Sequence, residues 1–356
     1  MRDPRTAVRV RQSRRRAKKE LARWGIVPVP TPAELRQFAE FAGLSASPDR
    51  LADVSDGLAV VTRMLVGEGV AVQVRDTQRG MRTIGVMAHV LISRSEDRRY
   101  THWTGRPRSL ADRLERVLSR RARQRLMSWY WATALTAPRL TALSAASASA
   151  LEAWISDSAE GGSAEAPEPV RTAQTFLASR EFRLQIARRA SQPHKLALEA
   201  ILSRRGARDF YTGELISVRR LFQPEADEPD VQFHHLVPRE WSRVKELRAD
   251  LQERVRGGLA NLTPLADATN GAIKNRAPGA YLDEFGETDP DERAEGINAM
   301  LRQHLIEPSL LWAIDDEVSE LDERVERFLE DRLDAIVAAF RALVSGEWRI
   351  PEAQSA

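Results

Sequence analysis

Two adjacent histidines, His234 and His235, stand near the end of a strand-like run, Val231-Gln-Phe-His-His-Leu-Val-Pro238. The chain has 356 residues and only six histidines, so an adjacent pair carries weight. Neighbouring side chains of a strand point to opposite sides. One imidazole can therefore face a metal while the other faces a water. Further along comes Asn261-Leu-Thr-Pro-Leu-Ala-Asp-Ala-Thr-Asn270, followed by Lys274. Asn261 is expected to begin a second short strand. Asn270 is expected at or near the start of a helix, with Lys274 one turn later on the same face.

These residue types suit phosphodiester hydrolysis. An imidazole supplies a base of near-neutral pKa. A cation stabilises charge on the phosphate and on the leaving oxygen. One imidazole and one amide oxygen are too few for a closed structural zinc site. They leave positions for water and phosphate oxygens, as Mg²⁺ or Mn²⁺ prefer. Each residue also has a plain alternative. Paired histidines at a strand end often just hydrogen-bond; Asn261 can be a turn residue and Asn270 a helix cap. The signal is the order: strand, His-His, Pro, strand with Asn, helix with Asn and Lys.

That order resembles the HNH, or ββα-metal, nuclease finger in its His–Asn–Asn form. The resemblance implies that His234 and Asn270 are metal ligands and that His235 is the general base. It implies that Asn261 braces the loop and orients His235 through a hydrogen bond, and that Lys274 holds a phosphate. It further implies one divalent ion, Mg²⁺ or Mn²⁺, as cofactor and DNA as substrate.

The stretch Asn270-Gly-Ala-Ile-Lys-Asn-Arg-Ala-Pro278-Gly-Ala-Tyr281-Leu282 resembles the tail of the nuclease domain in GmrSD-type modification-dependent restriction endonucleases. Arg125-Leu-Met-Ser-Trp129-Tyr-Trp131 resembles the aromatic signature of the helical region before that domain. Phe328 to Ile336 resembles the family's late helix. The likeness spans roughly residues 60 to 345 and implies a role in restriction and antiviral defence. The tryptophans also read as plain core packing. Full-length members begin with a ParB-like nucleotide-binding domain carrying Asp-Gly-Gln-Gln-Arg. Here only Val74-Arg-Asp76-Thr-Gln78-Arg79-Gly80 is comparable, without room for that domain before it. The expectation is a separate ParB-like NTPase subunit as partner, or none. Two other readings stay open: a toxin or homing nuclease using the same finger, and a nucleic-acid-binding or scaffold protein with an inactive finger.

The elements that must position these residues are mostly helical. The expected fold class is mainly α with a small α+β element. A basic arm (1–22) leads into a helical domain (23–156), with Thr31-Pro-Ala-Glu34 as a capping box. Apolar stripes fall at Leu58, Val61, Met64 and Leu65, at Ile84 to Leu91, and at Leu110 to Leu118. Residues 157–169 are small, acidic and Gly/Pro-rich, as in a linker. A helical segment (170–205) follows, then the finger (206–285), with strand-like runs at Leu215–Val218, Val231–Leu236 and Leu259–Leu265. A C-terminal helical segment (286–356) includes an amphipathic helix over Leu321–Leu343.

Composition narrows the field. There is no cysteine, which excludes disulfides, thiolate zinc sites and a thiol nucleophile. No apolar run reaches the ~18 residues of a membrane span, and the basic N-terminus has no apolar segment of a secretory signal. A cytoplasmic protein with no membrane partner is expected. Charge is uneven: residues 180–208 hold eight basic side chains and two acids, while residues 283–334 hold eighteen acids and five arginines. Basic blocks suit a polyanion. With 49 arginines among 54 basic residues, coding bias explains part of the richness.

Overall fold

The computed structural model describes residues 119–136, 145–157, 164–216, 231–285, 290–315 and 320–347, and isolated helical positions between 57 and 91. The basic arm, the capping box at Thr31–Glu34, the segment Val74–Gly80 and the stripe Leu110–Leu118 lie outside the described residues. The chain divides into two compact units, residues 1–174 with 343–346 and residues 175–342 with 347–356. It is mainly helical, with one small sheet of two strands among the described residues. No helix among them is long and apolar enough to cross a membrane.

The first unit contains helices α1 (Arg120–Leu135) and α2 (Ala145–Asp157). Ser119 begins α1, its hydroxyl accepting from the Ala122 amide at 3.1 Å. Trp129 and Trp131 are buried on α1. The Arg125 guanidinium lies 5.1 Å from the centre of the Trp154 ring, a cation–π contact that joins α1 to α2. The stripe Val61, Met64 and Leu65 and the run Val86, Met87, Val90 and Leu91 are buried and helical, as their spacing predicts.

The expected helical segment from Val170 to about Arg204 is three helices: α3 (Glu168–Leu177), α4 (Arg180–Arg188) and α5 (Gln192–Arg204). The breaks fall at serines. Ser179 caps α4, accepting from the Phe182 amide, and Ser191 precedes Pro193 at the start of α5. Strand β1 (Val231–His235) then leads through a 3₁₀ turn to helix α6 (Ala249–Gly257). A second 3₁₀ turn, Leu259–Asn261, opens directly into strand β2 (Leu262–Ala266). Helices α7 (Asp267–Ile273) and α8 (Pro278–Leu282) follow, then α9 (Pro290–Gln303), α10 (Pro308–Trp312) and α11 (Leu321–Ser345).

β1 and β2 pair antiparallel, with His234 opposite Thr263 and His235 opposite Leu262. Leu215 makes only a single bridge, to Arg208, so the expected strand Leu215–Val218 is not formed at its described end. A two-strand ribbon is marginal alone. Here every residue of β2 is buried, and side chains distant in sequence hold it. His304, after α9, is fully buried: its Nδ1 lies 2.6 Å from the Thr263 hydroxyl and its Nε2 2.9 Å from the Arg208 carbonyl. A carbonyl only accepts, so Nε2 carries the proton and Nδ1 accepts from Thr263.

Burial pushes His304 down to about 3, with Arg332 and Arg205 adding to the effect and the Arg208 carbonyl and Asp209 opposing it. The unfolded chain therefore binds a proton below the usual value of ~6.5 that the folded chain refuses, and stability falls as pH drops through that range. The slope from this one group approaches about 1.4 kcal/mol per pH unit below pH 6. Urea unfolding at pH 7.0 and 5.5 should show a larger loss for the wild type than for His304→Gln. Equal losses would contradict the buried neutral imidazole.

Candidate active site

His234 and His235 end strand β1, and the alternation of the strand separates them as expected. His234 is 7% exposed. Its Nε2 is buried and makes no hydrogen bond. The Asn270 side chain of α7 lies close enough to the ring to raise its pKa, but burial dominates and the charge of His235 adds to it, bringing His234 down to about 4. At neutral pH the imidazole is thus uncharged, with the Asn270 carboxamide near its ring. An orphaned imidazole nitrogen beside an amide oxygen fits a hard divalent cation that completes its shell with water or phosphate. Among the described residues no group of three or more His, Cys, Asp and Glu forms a closed cage.

His235 is half-buried on the opposite side. Its Nε2 lies 3.1 Å from the Arg256 carbonyl at the end of α6. That carbonyl can only accept, so Nε2 is the protonated nitrogen and Nδ1 keeps the lone pair. Burial lowers its pKa; the bond to Arg256 opposes this, and the cations of Arg239 and Lys195 lower it further. His235 is therefore a neutral imidazole in a fixed tautomer, the form a general base requires.

Asn261 stands at the end of the 3₁₀ turn rather than in the strand, because that turn must complete before β2 can pair. It is fully buried and its amide is used completely. Oδ1 accepts from the Val237 amide at 2.8 Å, and Nδ2 donates to the carbonyls of Val237 and Val255, each at 2.8 Å. It thus ties the loop after β1 to the end of α6. The expected direct bond to His235 is not made. Asn261 instead fixes Val255, whose neighbour Arg256 supplies the carbonyl that holds His235. Asn261→Ala strands three buried partners and is expected to cost at least about 3 kcal/mol of unfolding free energy. An unchanged urea midpoint would contradict the brace.

Lys274 caps the end of α7, its amide donating to the Asn270 carbonyl at 3.1 Å, one turn beyond Asn270. Helix α7 ends at Ile273, and Lys274 follows with a left-handed φ of 48°. The side chain is exposed. No side-chain hydrogen bond or ion pair of Lys274 is seen among the described residues.

Three side chains that sequence reading missed position the site. Asp209 is 2% exposed and reaches the junction of β2 and α7. Its Oδ2 accepts from the Ala266 amide at 2.7 Å, and its Oδ1 accepts from the Thr269 hydroxyl and from the amides of Tyr211 and Thr212. Ala266 has no capping side chain of its own, so Asp209 anchors the start of the helix that carries Asn270. The Tyr281 hydroxyl donates to the Leu236 carbonyl at 2.7 Å, just after the histidines. The buried Arg332 of α11 donates to the Ala260 carbonyl at 2.6 Å. Tyr281 and Arg332 lay within the stretches that carry the resemblance, but with no role assigned to either. The partners of Asp209 on β2 and α7, and that of Arg332, are tens of residues away, beyond the reach of local spacing.

No protein-family model matches the chain, and no curated protein matches it.

Proposed function

We propose that this protein is a metal-dependent endonuclease of the ββα-metal, or HNH, type. It hydrolyses phosphodiester bonds of DNA, and the likeness noted in the sequence supports a role in restriction and antiviral defence, with a ParB-like NTPase as a candidate separate subunit. The observation that carries this reading is the strand–strand–helix unit with two unlike imidazoles. One is neutral with an orphaned Nε2 beside Asn270; its neighbour is held in the tautomer of a base.

His234 and Asn270 would hold a single Mg²⁺ or Mn²⁺. Bound there, the cation supplies stabilisation of charge on the phosphate and on the departing oxygen. His235 takes the proton of the attacking water at Nδ1, while its Nε2–H stays on the Arg256 carbonyl and stabilises the imidazolium that forms. Asn261 and Tyr281 keep that carbonyl and the histidine strand in register. Pre-organisation of this kind removes reorganisation from the reaction step.

Labelled single-stranded and duplex DNA incubated with the purified chain and Mg²⁺ or Mn²⁺ tests the reading. Fragments that grow with time and vanish with EDTA support it. Intact strands with every metal, in the presence of nucleotide as well, overturn it.

A further inference from the structure

A nuclease also needs cations beside its base to hold the DNA backbone, and the His235 side of the ribbon carries one. Phe233 lies two residues before His235 and so shares its face of β1. The Lys195 ammonium of α5 sits 5.8 Å from the centre of the Phe233 ring. The contact steers the long side chain along the strand toward His235. No carboxylate pairs with Lys195 among the described residues. Arg239 follows on the loop that Asn261 ties down through Val237. Its side chain is 64% exposed, and its one ion pair among the described residues is a loose contact of 3.6 Å with its exposed neighbour Glu240.

The same side carries more positive charge. The end of α4 is pressed against the end of α6, with the Ala190 amide donating to the Gly257 carbonyl at 2.8 Å. The approach is so close that a Cβ on Gly257 would lie 2.5 Å from the Arg188 carbonyl, and one on Gly258 2.2 Å from the Ala187 carbonyl. Only glycine permits it. It brings the chain at Arg188 and Arg189, both exposed, beside Arg256, whose carbonyl holds His235. Among the described residues Arg188 has a single loose pair, 3.9 Å to Glu253. Lys195 and these arginines, apart from Arg239 and Arg256, come from the basic block at residues 180–208.

We propose that Lys195 and Arg239 form the phosphate-gripping edge of the site: they hold the DNA backbone along the His235 face of β1, next to the base. The inference rests on the nuclease reading for its substrate. Lys195 and Arg239 are positioning residues for the DNA strand and take no proton in the reaction.

The test is binding of a fluorescent DNA duplex by the full chain in EDTA, measured over a range of NaCl concentrations. Each phosphate contact contributes about 0.9 to the slope of log affinity against log salt. Lys195→Met keeps the aliphatic stem over Phe233 and removes the charge; Arg239→Gln does the same for the loop. Each should weaken binding several-fold at moderate salt and lower the slope by about 1, and the pair by about 2. Lys195→Arg should restore the slope. Urea unfolding of all variants should match the wild type.

A double variant with wild-type affinity and slope overturns the proposal. If that variant also cuts DNA normally with metal, the nuclease reading survives without it. If the wild type binds DNA through these residues but never cuts, the phosphate edge stands and the nuclease reading falls. A wild type that binds no duplex overturns the edge itself.

Discussion

His235→Ala is expected to lower the rate of metal-dependent DNA cleavage by about 10² to 10⁴, the usual contribution of a positioned base. The fold should be unaffected. The ring is half-buried and makes one hydrogen bond, to a carbonyl at the end of α6 that remains within reach of water once the ring is gone. Thermal unfolding of the variant should therefore superimpose on the wild type, and DNA affinity measured in EDTA should be unchanged. Loss of cleavage with binding and folding intact is the signature of a group that acts on the reacting water. An unchanged rate would remove His235 from the chemistry. A collapse of folding along with rate would make it a structural histidine.

His234→Ala is expected to abolish cleavage as completely, by a different route. Removing groups that merely orient a metal ligand costs 10- to 100-fold, so removing a ligand should cost at least about 100-fold. Most buried polar side chains stabilise a fold through their hydrogen bonds. The Nε2 of His234 has none, so the one polar neighbour its removal disturbs is the Asn270 side chain. Unfolding free energy should fall by no more than the small cavity requires. Asn270→Ala, which leaves the imidazole in place, should show reduced cleavage that recovers in part as Mn²⁺ is raised. A variant at either position with wild-type metal dependence would contradict the ligand pair. The two histidines are thus separable. The His235 variant should keep its dependence of any residual rate on metal, and the His234 variant should lose it.

Much of the fold was legible because its signals are local. The strand at Val231–His235 shows in its alternation and its bounding turns. Buried helices show at Val61, Met64 and Leu65 through their spacing, and the long helix α11 through its amphipathic pattern. The pairing of His234 with Asn270 followed from their order alone, since a helix folded back on an antiparallel ribbon returns to the end where the first strand finished. What failed was mostly a matter of a few residues at a boundary. Asn261 ends a 3₁₀ turn instead of starting the strand, which moves its amide onto Val237 and Val255 and away from His235. Lys274 falls one residue beyond the end of α7, where it caps the helix with a left-handed φ.

The clamp around the site was illegible for a different reason. Asp209, His304 and Arg332 act on backbone groups of Ala266, Arg208 and Ala260, and no periodicity records which distant carbonyl or amide a side chain will meet. A buried ribbon exposes backbone groups that must be satisfied, so polar residues scattered through the helical part of the chain are recruited to it. Lys195 belongs to the same class. In sequence it is one lysine in a basic block; only the fold sets it over Phe233.

Supercoiled plasmid offers the most direct test of the central claim, that this strand pair and helix cut DNA with a bound divalent ion. Wild type and His235→Ala would be incubated side by side with Mg²⁺ or Mn²⁺, on unmodified plasmid and plasmid with modified cytosines, with and without nucleotide, and with EDTA as control. The account predicts conversion of the supercoiled form by the wild type alone, abolished by EDTA. Supercoiled plasmid left intact by the wild type under every condition, or cut equally well by His235→Ala, would contradict it.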